Sequence, residues 1–264
     1  MDLQLEGKHV LITGGSKGIG FACADGFLAE RSILTLVARR GETLKNARAD
    51  LLTRWPNAQV HTASADLTDA SQALWAVDDA ENTLGPVDVL VNSAGAARRT
   101  SPAELTPQHW RDAMDAKFFT YVNVIDPLIK RMAERRSGSV LNIVGMGGKV
   151  ASPLHLTGGS ANAALMLMSA GLAAAYGPFG IRVNAVNPTV TLTERMEEGL
   201  EVDAKAHQID KEEALARIIA RMPLGRVSTA QEVADAVLFL CSSRASYISG
   251  AILSLDGAIT PLVV

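Results

Sequence analysis

The sequence has little cysteine, and this shortage excludes several kinds of site. Only Cys23 and Cys241 occur among 264 residues, and they are far apart. Their separation argues against a disulfide framework and against a thiolate metal site, and it fits a reducing compartment. The five histidines show no metal-ligand spacing either. We therefore predict a protein without a bound metal.

An excess of one charge and a long apolar run are also missing. The chain carries 25 basic and 28 acidic residues, a net charge of -3, and no cluster of Lys or Arg suggests nucleic acid or a membrane surface. Its longest apolar run, residues 163–176, is about 14 residues, short of the ~18 that suggest a membrane span. The first residues do not resemble a signal peptide. We expect a cytoplasmic protein with a small-molecule substrate, no nucleic-acid partner and no membrane partner.

Short runs rich in Val, Ile and Leu alternate with longer helical patterns along the chain. There are seven such runs, from KHVLIT at 8–13 to GAILSLDG at 250–257. Strands that are buried on both faces appear as continuous apolar runs, and intervening helices supply the crossovers of a parallel sheet. The pattern predicts an α/β protein: a single doubly wound parallel sheet (a Rossmann fold) of about seven strands with helices on both faces. The length suits one domain, 1–264.

One charged helical segment, residues 193–225, interrupts this alternation before the last strand. An insert at this point of a doubly wound fold overhangs the carboxyl ends of the strands, where ligands bind. It can serve as a lid that closes over a ligand. A solvated helix pair without such a role is the equal alternative.

The stretch TGGSKGIG, residues 13–20, follows the first predicted strand and opens the first predicted helix. Glycines at 14, 18 and 20 allow a tight turn, a close approach of backbone to a pyrophosphate, and close helix-to-strand packing. Free N–H groups at the start of the helix face the anion. A glycine pattern alone is weak, but its place between strand and helix predicts a dinucleotide site.

The glycine turn and three further motifs make the chain resemble the short-chain dehydrogenase/reductase family from about residue 7 to residue 258. The family's acidic residue after the third strand is matched by Asp66, its fourth-strand motif by VNSAG at 91–95, and its sixth strand by GIRVNAVNP at 180–188. NAVNPTVTLT is also similar to the corresponding segment of xylulose reductases. The resemblance implies a nicotinamide cofactor. The residues implied to bind it are Gly14, Ser16, Lys17, Gly18, Ile19, Arg39, Arg40, Asp66, Leu67, Asn92, Ala94, Gly95, Asn162, Pro188 and Thr193.

The residues after the second strand favour NADP(H) over NAD(H). An acidic side chain there would bind the ribose 2′-hydroxyl and repel a 2′-phosphate, whereas arginine does the reverse. Here Ala38 occupies the acidic position and is followed by Arg39 and Arg40, and Lys17 in the glycine turn adds a cation.

The four catalytic positions implied by the resemblance are all changed. Members of the family carry a Tyr and a Lys one helical turn apart, a Ser after the preceding strand and an Asn on the neighbouring helix, for general acid/base catalysis. In this register Gly158 replaces the Tyr and Asn162 the Lys. Gly145 occupies the Ser position and Lys117 the Asn position. The resemblance therefore implies an atypical member without the usual proton relay.

Three side chains are candidates for parts of that lost chemistry. His155 lies three positions before Gly158, and an imidazole suits proton transfer near neutral pH; a solvated loop histidine is the alternative. Lys117 can supply a cation beside Asn162, or simply fill space, while a packing role is favoured for Tyr121. Asn162 itself can donate a hydrogen bond to a ribose hydroxyl, which is its preferred role.

Three functions remain open at this stage. The first is an oxidoreductase acting on carbonyl or alcohol groups with nonstandard or impaired catalysis. The second is a redox-inactive NADP(H) sensor or scaffold, and the third a non-redox lyase or isomerase, since one fold hosts many functions. The resemblance also implies a homotetramer, with a dimer next. In the implied assembly, the helices at 107–133 and 157–177 pair between subunits, and the apolar C-terminal tail packs at the interface.

Overall fold

The structure is a computed structural model that describes residues 1–95 and 99–261. Within these residues seven strands form one sheet and two form a small second sheet. Each of the seven predicted runs contains one strand of the large sheet. The strands are β1 (His9–Thr13), β2 (Ile33–Ala38), β3 (Val60–Ser64), β4 (Val89–Asn92), β5 (Gly138–Ile143), β6 (Ile181–Pro188), β7 (Thr191–Leu192), β8 (Ser228–Thr229) and β9 (Ile252–Leu255).

The large sheet is parallel throughout, in the order β3-β2-β1-β4-β5-β6-β9. Strand β1 lies between β2 and β4, with Val10 beside Leu34 on one side and Val89 on the other. The chain therefore moves outward from β1 in two opposite directions. Such a reversal leaves a crevice at the carboxyl ends of the strands, where doubly wound proteins bind ligands.

Helices cover both faces of this sheet and create two cores. One core lies between the sheet and the first, second and last helices. The other core lies between the sheet and the third, fifth and sixth helices. The prediction of a doubly wound α/β sheet is confirmed. The helices are α1 (Gly18–Ala29), α2 (Gly41–Arg54), α3 (Ala70–Leu84), α4 (Pro107–Ala113), α5 (Thr120–Arg135), α6 (Leu156–Tyr176), α7 (Glu194–His207), α8 (Lys211–Ile219) and α9 (Ala230–Cys241). None of the helices in the described ranges has the length and apolar character needed to cross a membrane.

Two local features were not predicted. A π-helical turn, Met114–Phe119, joins α4 to α5 within the predicted 107–133 helix. Strands β7 and β8 pair over two residues each, Thr191 with Ser228 and Leu192 with Thr229. A two-residue strand has no detectable alternation, because the period-2 signal needs at least about four residues.

The 193–225 insert forms a helix pair with its own small core. Leu200, Ala204 and Ala214 are buried between α7 and α8. The helical character predicted for this segment is therefore present.

His9 gives the fold a pH-dependent contribution to stability. Its ring lies 2.7 Å from Gly85 O and 3.0 Å from Thr35 Oγ1 and is 2% exposed, and burial lowers its pKa. The unfolded chain therefore binds the proton more readily than the folded one, so this contribution is complete above about pH 6.5 and is lost as the pH falls below it. In urea unfolding, the stability of the wild type should fall more steeply between pH 6.5 and 5 than that of His9→Gln. The control His207→Gln, at an exposed position at the end of α7, should follow the wild type, and parallel curves for all three would contradict the assignment.

Candidate functional site

The glycine turn brings three backbone segments into contact at the carboxyl end of β1. Gly14 has φ +68°, and a Cβ there would lie 2.9 Å from Ala94 Cα. A Cβ at Gly20 would lie 2.3 Å from Gly14 O. Only glycine permits these approaches, which aim the unpaired N–H groups of the first turn of α1 at the space beyond the turn.

That space is a cleft of about 870 Å³, within the range of ligand pockets. Its walls come from the turn, the ends of β2, β3 and β4, the π-helical turn and the start of α7. The predicted cofactor residues that line it are Gly14, Ser16, Lys17, Gly18, Ile19, Arg39, Arg40, Asp66, Leu67, Ala94, Gly95 and Thr193. Sequence reasoning identified Ala38 only as the position that decides cofactor choice, and it missed Thr43, Ala65, Thr68, Ser93, Ala116, Thr120 and Glu194. Most of these adjoin a predicted residue in sequence, but the two from the π-helical turn and α5 carry no sequence signal.

Asn92 lies beneath the cleft rather than at its wall. Its side chain is fully buried; its Oδ1 accepts a hydrogen bond from Thr13 Oγ1 at 3.3 Å, and its Nδ2 donates to Asn142 Oδ1 at 3.0 Å. Thr13 Oγ1 in turn accepts from the backbone N–H groups of Ser93 and Ala94. Asn92 therefore stabilises the strand ends that shape the cleft. The structure assigns it this supporting position instead of a place facing a ligand.

Cationic side chains concentrate at one end of the cleft. Arg39 and Arg40 follow Ala38 at the end of β2 and are exposed. Lys17 Nζ lies 3.0 Å from Glu194 Oε2 and so joins the glycine turn to α7. Asp66 Oδ1 accepts from Thr68 N at 3.1 Å and Thr68 Oγ1 at 2.9 Å, which fixes the turn after β3. The two arginines leave this end of the cleft positive.

The glycines at the start of α6 allow the helix to pack directly on the loop after β5. A Cβ at Gly159 would lie 2.7 Å from Gly147 O, and a Cβ at Gly148 would lie 2.8 Å from Ala163 N. Gly158, beside Gly159, is buried. Close backbone approach therefore explains why glycine is found in a helix where it costs roughly 0.5–1 kcal/mol relative to alanine.

Lys117 and Tyr121 form a buried pair below the cleft. Lys117 Nζ donates to Tyr121 Oη at 2.9 Å and to Ile143 O at 3.0 Å, and the Tyr121 hydroxyl donates to Ile143 O at 2.7 Å. Tyr121 is fully buried and Lys117 is 8% exposed. The cleft is lined instead by Ala116 and Thr120 of the same segment. The arrangement stabilises the end of β5, in agreement with a packing role for Tyr121.

His155 and Asn162 approach the same point beside the loop after β5. A Cβ at Gly147 would lie 3.4 Å from His155 Nε2 and 3.6 Å from Asn162 Nδ2. A Cβ at Gly145 would lie 3.4 Å from Asn162 Nδ2 and 3.8 Å from Pro188 O. These five residues form a group at the carboxyl ends of β5 and β6, and none of them is among the residues that line the large cleft. The structure thus brings His155 and Asn162 to the same side of the loop after β5, which sequence distance alone does not establish.

The two cysteines supply no nucleophile to either group. Both are buried, and burial raises the pKa of the Cys241 thiol to about 12 and that of Cys23 further above its usual range. Both thiols are therefore protonated and unreactive at neutral pH.

The sheet order, the glycine turn and the cleft at the strand reversal define a dinucleotide-binding α/β protein. A family model described as enoyl-(acyl carrier protein) reductase matches residues 14–260. The 3alpha-hydroxysteroid dehydrogenase of Mediterraneibacter gnavus is 32% identical over 258 residues, which are 98% of this chain and 99% of that protein. The chain belongs to the short-chain dehydrogenase/reductase family of oxidoreductases.

Solved structures resemble this fold along its length. L-sorbose reductase from Gluconobacter frateurii, complexed with NADPH and L-sorbose, superposes with a TM-score of 0.94 at 27% identity and covers 100% of both chains. An NADPH-bound short-chain oxidoreductase from Pseudomonas aeruginosa PAO1, described as containing an atypical catalytic center, gives a TM-score of 0.88 at 27% identity. The match covers 97% of this chain and 98% of the Pseudomonas chain. These likenesses support a nicotinamide cofactor in the cleft.

Proposed function

We propose that this protein is an NADP(H)-dependent oxidoreductase that acts on carbonyl or alcohol groups. The observation that carries the proposal is the positive end of the cleft, where Arg39 and Arg40 follow Ala38. Their guanidinium groups suit a 2′-phosphate, and no acidic side chain at position 38 opposes it.

The residues present fit this cofactor. The turn at Gly14 and Gly20 forms a cradle that a Cβ would fill, and the N–H groups at the start of α1 suit the pyrophosphate. Thr193, whose Cγ2 lies 3.6 Å from a Cβ at Gly18, would contact the nicotinamide carboxamide. When bound, the reduced nicotinamide supplies hydride to a carbonyl carbon.

The proton transfer is proposed to depart from that of the family. Gly158 and Asn162 occupy the two α6 positions where family members carry Tyr and Lys, and the Tyr121 hydroxyl is engaged with Ile143 O below the cleft. This supports slow turnover, or turnover with another proton donor. The resemblance in fold to L-sorbose reductase makes a small polyhydroxylated ketone the first substrate class to test.

A redox-inactive sensor is the second candidate function. The ion pair between Lys17 and Glu194 couples the glycine turn directly to α7. A dinucleotide phosphate that attracts Lys17 would loosen this link and shift the 193–225 helix pair. In this function the helix pair reports cofactor binding. In the enzyme, the same helix pair acts as a lid over the cleft of the single domain.

A homotetramer, or else a dimer, is proposed from the exposed faces of α4, α5 and α6. Leu167 is 78% exposed on α6. Trp110 and Phe119 are also exposed, on and beside α4. These apolar side chains suit burial between copies, and sedimentation velocity measures the assembly. The resemblance also assigns the C-terminal tail to the interface, and residues 262–264 of that tail lie outside the described residues.

Titration and turnover test the proposed function. NADPH should quench the intrinsic fluorescence with a Kd at least about tenfold below that of NADH, a difference of ~1.4 kcal/mol. L-sorbose with NADPH, and D-threitol, a small polyhydroxylated alcohol, with NADP⁺, should show slow changes in absorbance at the nicotinamide wavelength. Binding without any turnover on a wider carbonyl and alcohol panel would favour the sensor, and a product formed without an absorbance change would favour non-redox chemistry. A chain that binds neither dinucleotide at millimolar concentration contradicts the whole proposal.

A further inference from the structure

Asn162 is a buried residue of α6 whose carboxamide forms no hydrogen bond within the described part of the chain. The residue as a whole is 6% exposed, but its carboxamide atoms are not among the fully buried polar atoms that lack a partner, so solvent reaches them. The carboxamide is therefore available to a molecule that enters beside the loop after β5.

The donor end of this carboxamide is directed at the loop after β5. Asn162 Nδ2 lies 3.4 Å from the point where a Cβ at Gly145 would stand. Gly145 has φ +126° and no side chain, so no Cβ stands between its backbone and the Asn162 amide. The carbonyl oxygen of Pro188 lies 3.8 Å from the same point. A ligand oxygen in this space would find an N–H donor from α6.

His155 borders the same space from the other end of the loop. Its Cδ2 and Nε2 lie 2.9 Å and 3.4 Å from the point where a Cβ at Gly147 would stand, and Asn162 Nδ2 lies 3.6 Å from that point. Glycine at 147 is therefore required for the ring to lie here. The imidazole and the amide donor therefore both lie beside Gly147, on the same side of the loop.

We propose that Asn162 and His155 hold the reacting oxygen of the substrate in the space beside Gly145 and Gly147, with Asn162 polarising the carbonyl and His155 giving the proton. This inference rests on the proposed oxidoreductase function. In carbonyl reduction a C–H bond forms with hydride, and the electron pair of the C=O π bond moves to oxygen. The oxygen takes a proton from the imidazolium, which leaves an alcohol and a neutral imidazole that water reprotonates. The carbonyl is reduced and the nicotinamide is oxidised.

This assignment replaces the ribose contact that the sequence suggests for Asn162. A lysine at position 162 would reach beyond the helix, but the carboxamide is shorter and its donor lies against the end of β5. Loss of the carboxamide should therefore affect the substrate and leave the dinucleotide in place.

The variant Asn162→Leu separates the two assignments, with Ser160→Ala on the exposed side of α6 as the matched control. We expect Asn162→Leu to lower kcat/KM for L-sorbose on the order of 100-fold, the usual effect of removing one such donor. Its Kd for NADPH should stay within about twofold of the wild type. A tenfold weaker NADPH affinity would assign the carboxamide to the ribose and overturn the inference.

The cofactor-free protein gives a readout that needs no turnover. Because Asn162→Leu removes no hydrogen bond within the chain, its thermal midpoint should equal or exceed that of the wild type. A midpoint lower by several degrees would show that the carboxamide has a protein partner, and the inference would fail.

His155 is tested by removal and chemical rescue. His155→Ala should lower kcat on the order of 100-fold, and added free imidazole should restore part of it, which a packing role would not produce. Loss without rescue, or no loss, would remove His155 from the reaction.

Failure of the proposed function is distinguishable from failure of this site. If the wild type reduces nothing, binding of L-sorbose and D-threitol to the NADP⁺ complex is measured by calorimetry. A probe that binds the wild type at least tenfold more tightly than Asn162→Leu supports the site without turnover. Equal binding to both proteins, or no probe binding at all, contradicts it.

Discussion

Gly20→Ala should abolish dinucleotide binding. The added Cβ would stand 2.3 Å from Gly14 O, a backbone atom that cannot move without opening the glycine turn. We expect NADPH affinity to fall at least about 100-fold, or ~2.7 kcal/mol, since the N–H groups of α1 would no longer point into the cleft. The free energy of unfolding should fall by roughly 1–3 kcal/mol, as for other overpacked sites. Fluorescence titration and urea unfolding measure the two effects.

Gly171→Ala is the matched control for this substitution. It also places a methyl group in a helix, but its Cβ meets nothing within 4 Å. Its NADPH affinity should equal that of the wild type, and its helix should gain up to about 1 kcal/mol from the better propensity of alanine. If Gly20→Ala bound NADPH as tightly as this control, the cofactor would lie elsewhere.

Arg39→Ala should change the cofactor preference. A charge-assisted hydrogen bond is worth about 1.5–3 kcal/mol, so NADPH affinity should fall roughly 10- to 100-fold, while NADH, which lacks the 2′-phosphate, should change less than about threefold. The double variant with Lys17→Ala should reverse the preference. Paired titrations with NADPH and NADH give the ratio directly.

Arg31→Ala provides the control for loss of positive charge. Arg31 is also exposed, but it precedes β2 and pairs with Glu6 at the opposite edge of the sheet. It should leave both affinities unchanged. Equal losses for NADPH and NADH in Arg39→Ala would show that Arg39 does not contact the 2′-phosphate.

Most of the fold was predictable because its signals are local. The seven strands of the large sheet are continuous apolar runs, and each lies inside the run that predicted it. The π-helical turn Met114–Phe119 and the two-residue pairing of β7 with β8 were not predictable. Both arise from packing against distant segments, and neither leaves a periodic pattern in the chain.

The cofactor cleft was predictable to a similar degree, but the second group of polar residues was not. Lys17, Arg39 and Asp66 follow strand ends, and strand ends of a parallel sheet meet at one edge. The sequence indicated Asn162 and His155 only as separate candidates for a ribose contact and for proton transfer. That both lie beside Gly147 depends on how α6 sits on the loop after β5.

By itself the sequence determined the sheet, the glycine turn after β1 and the absence of an acidic side chain at position 38, because each depends on neighbours within a few residues. Only the tertiary structure decided that Lys117 turns inward to Ile143 O and that Asn162 directs its amide at Gly145. The physical reason is that a side chain's partner depends on which backbones can approach, and here paired glycines on α6 and on the loop allow an approach that no single segment specifies.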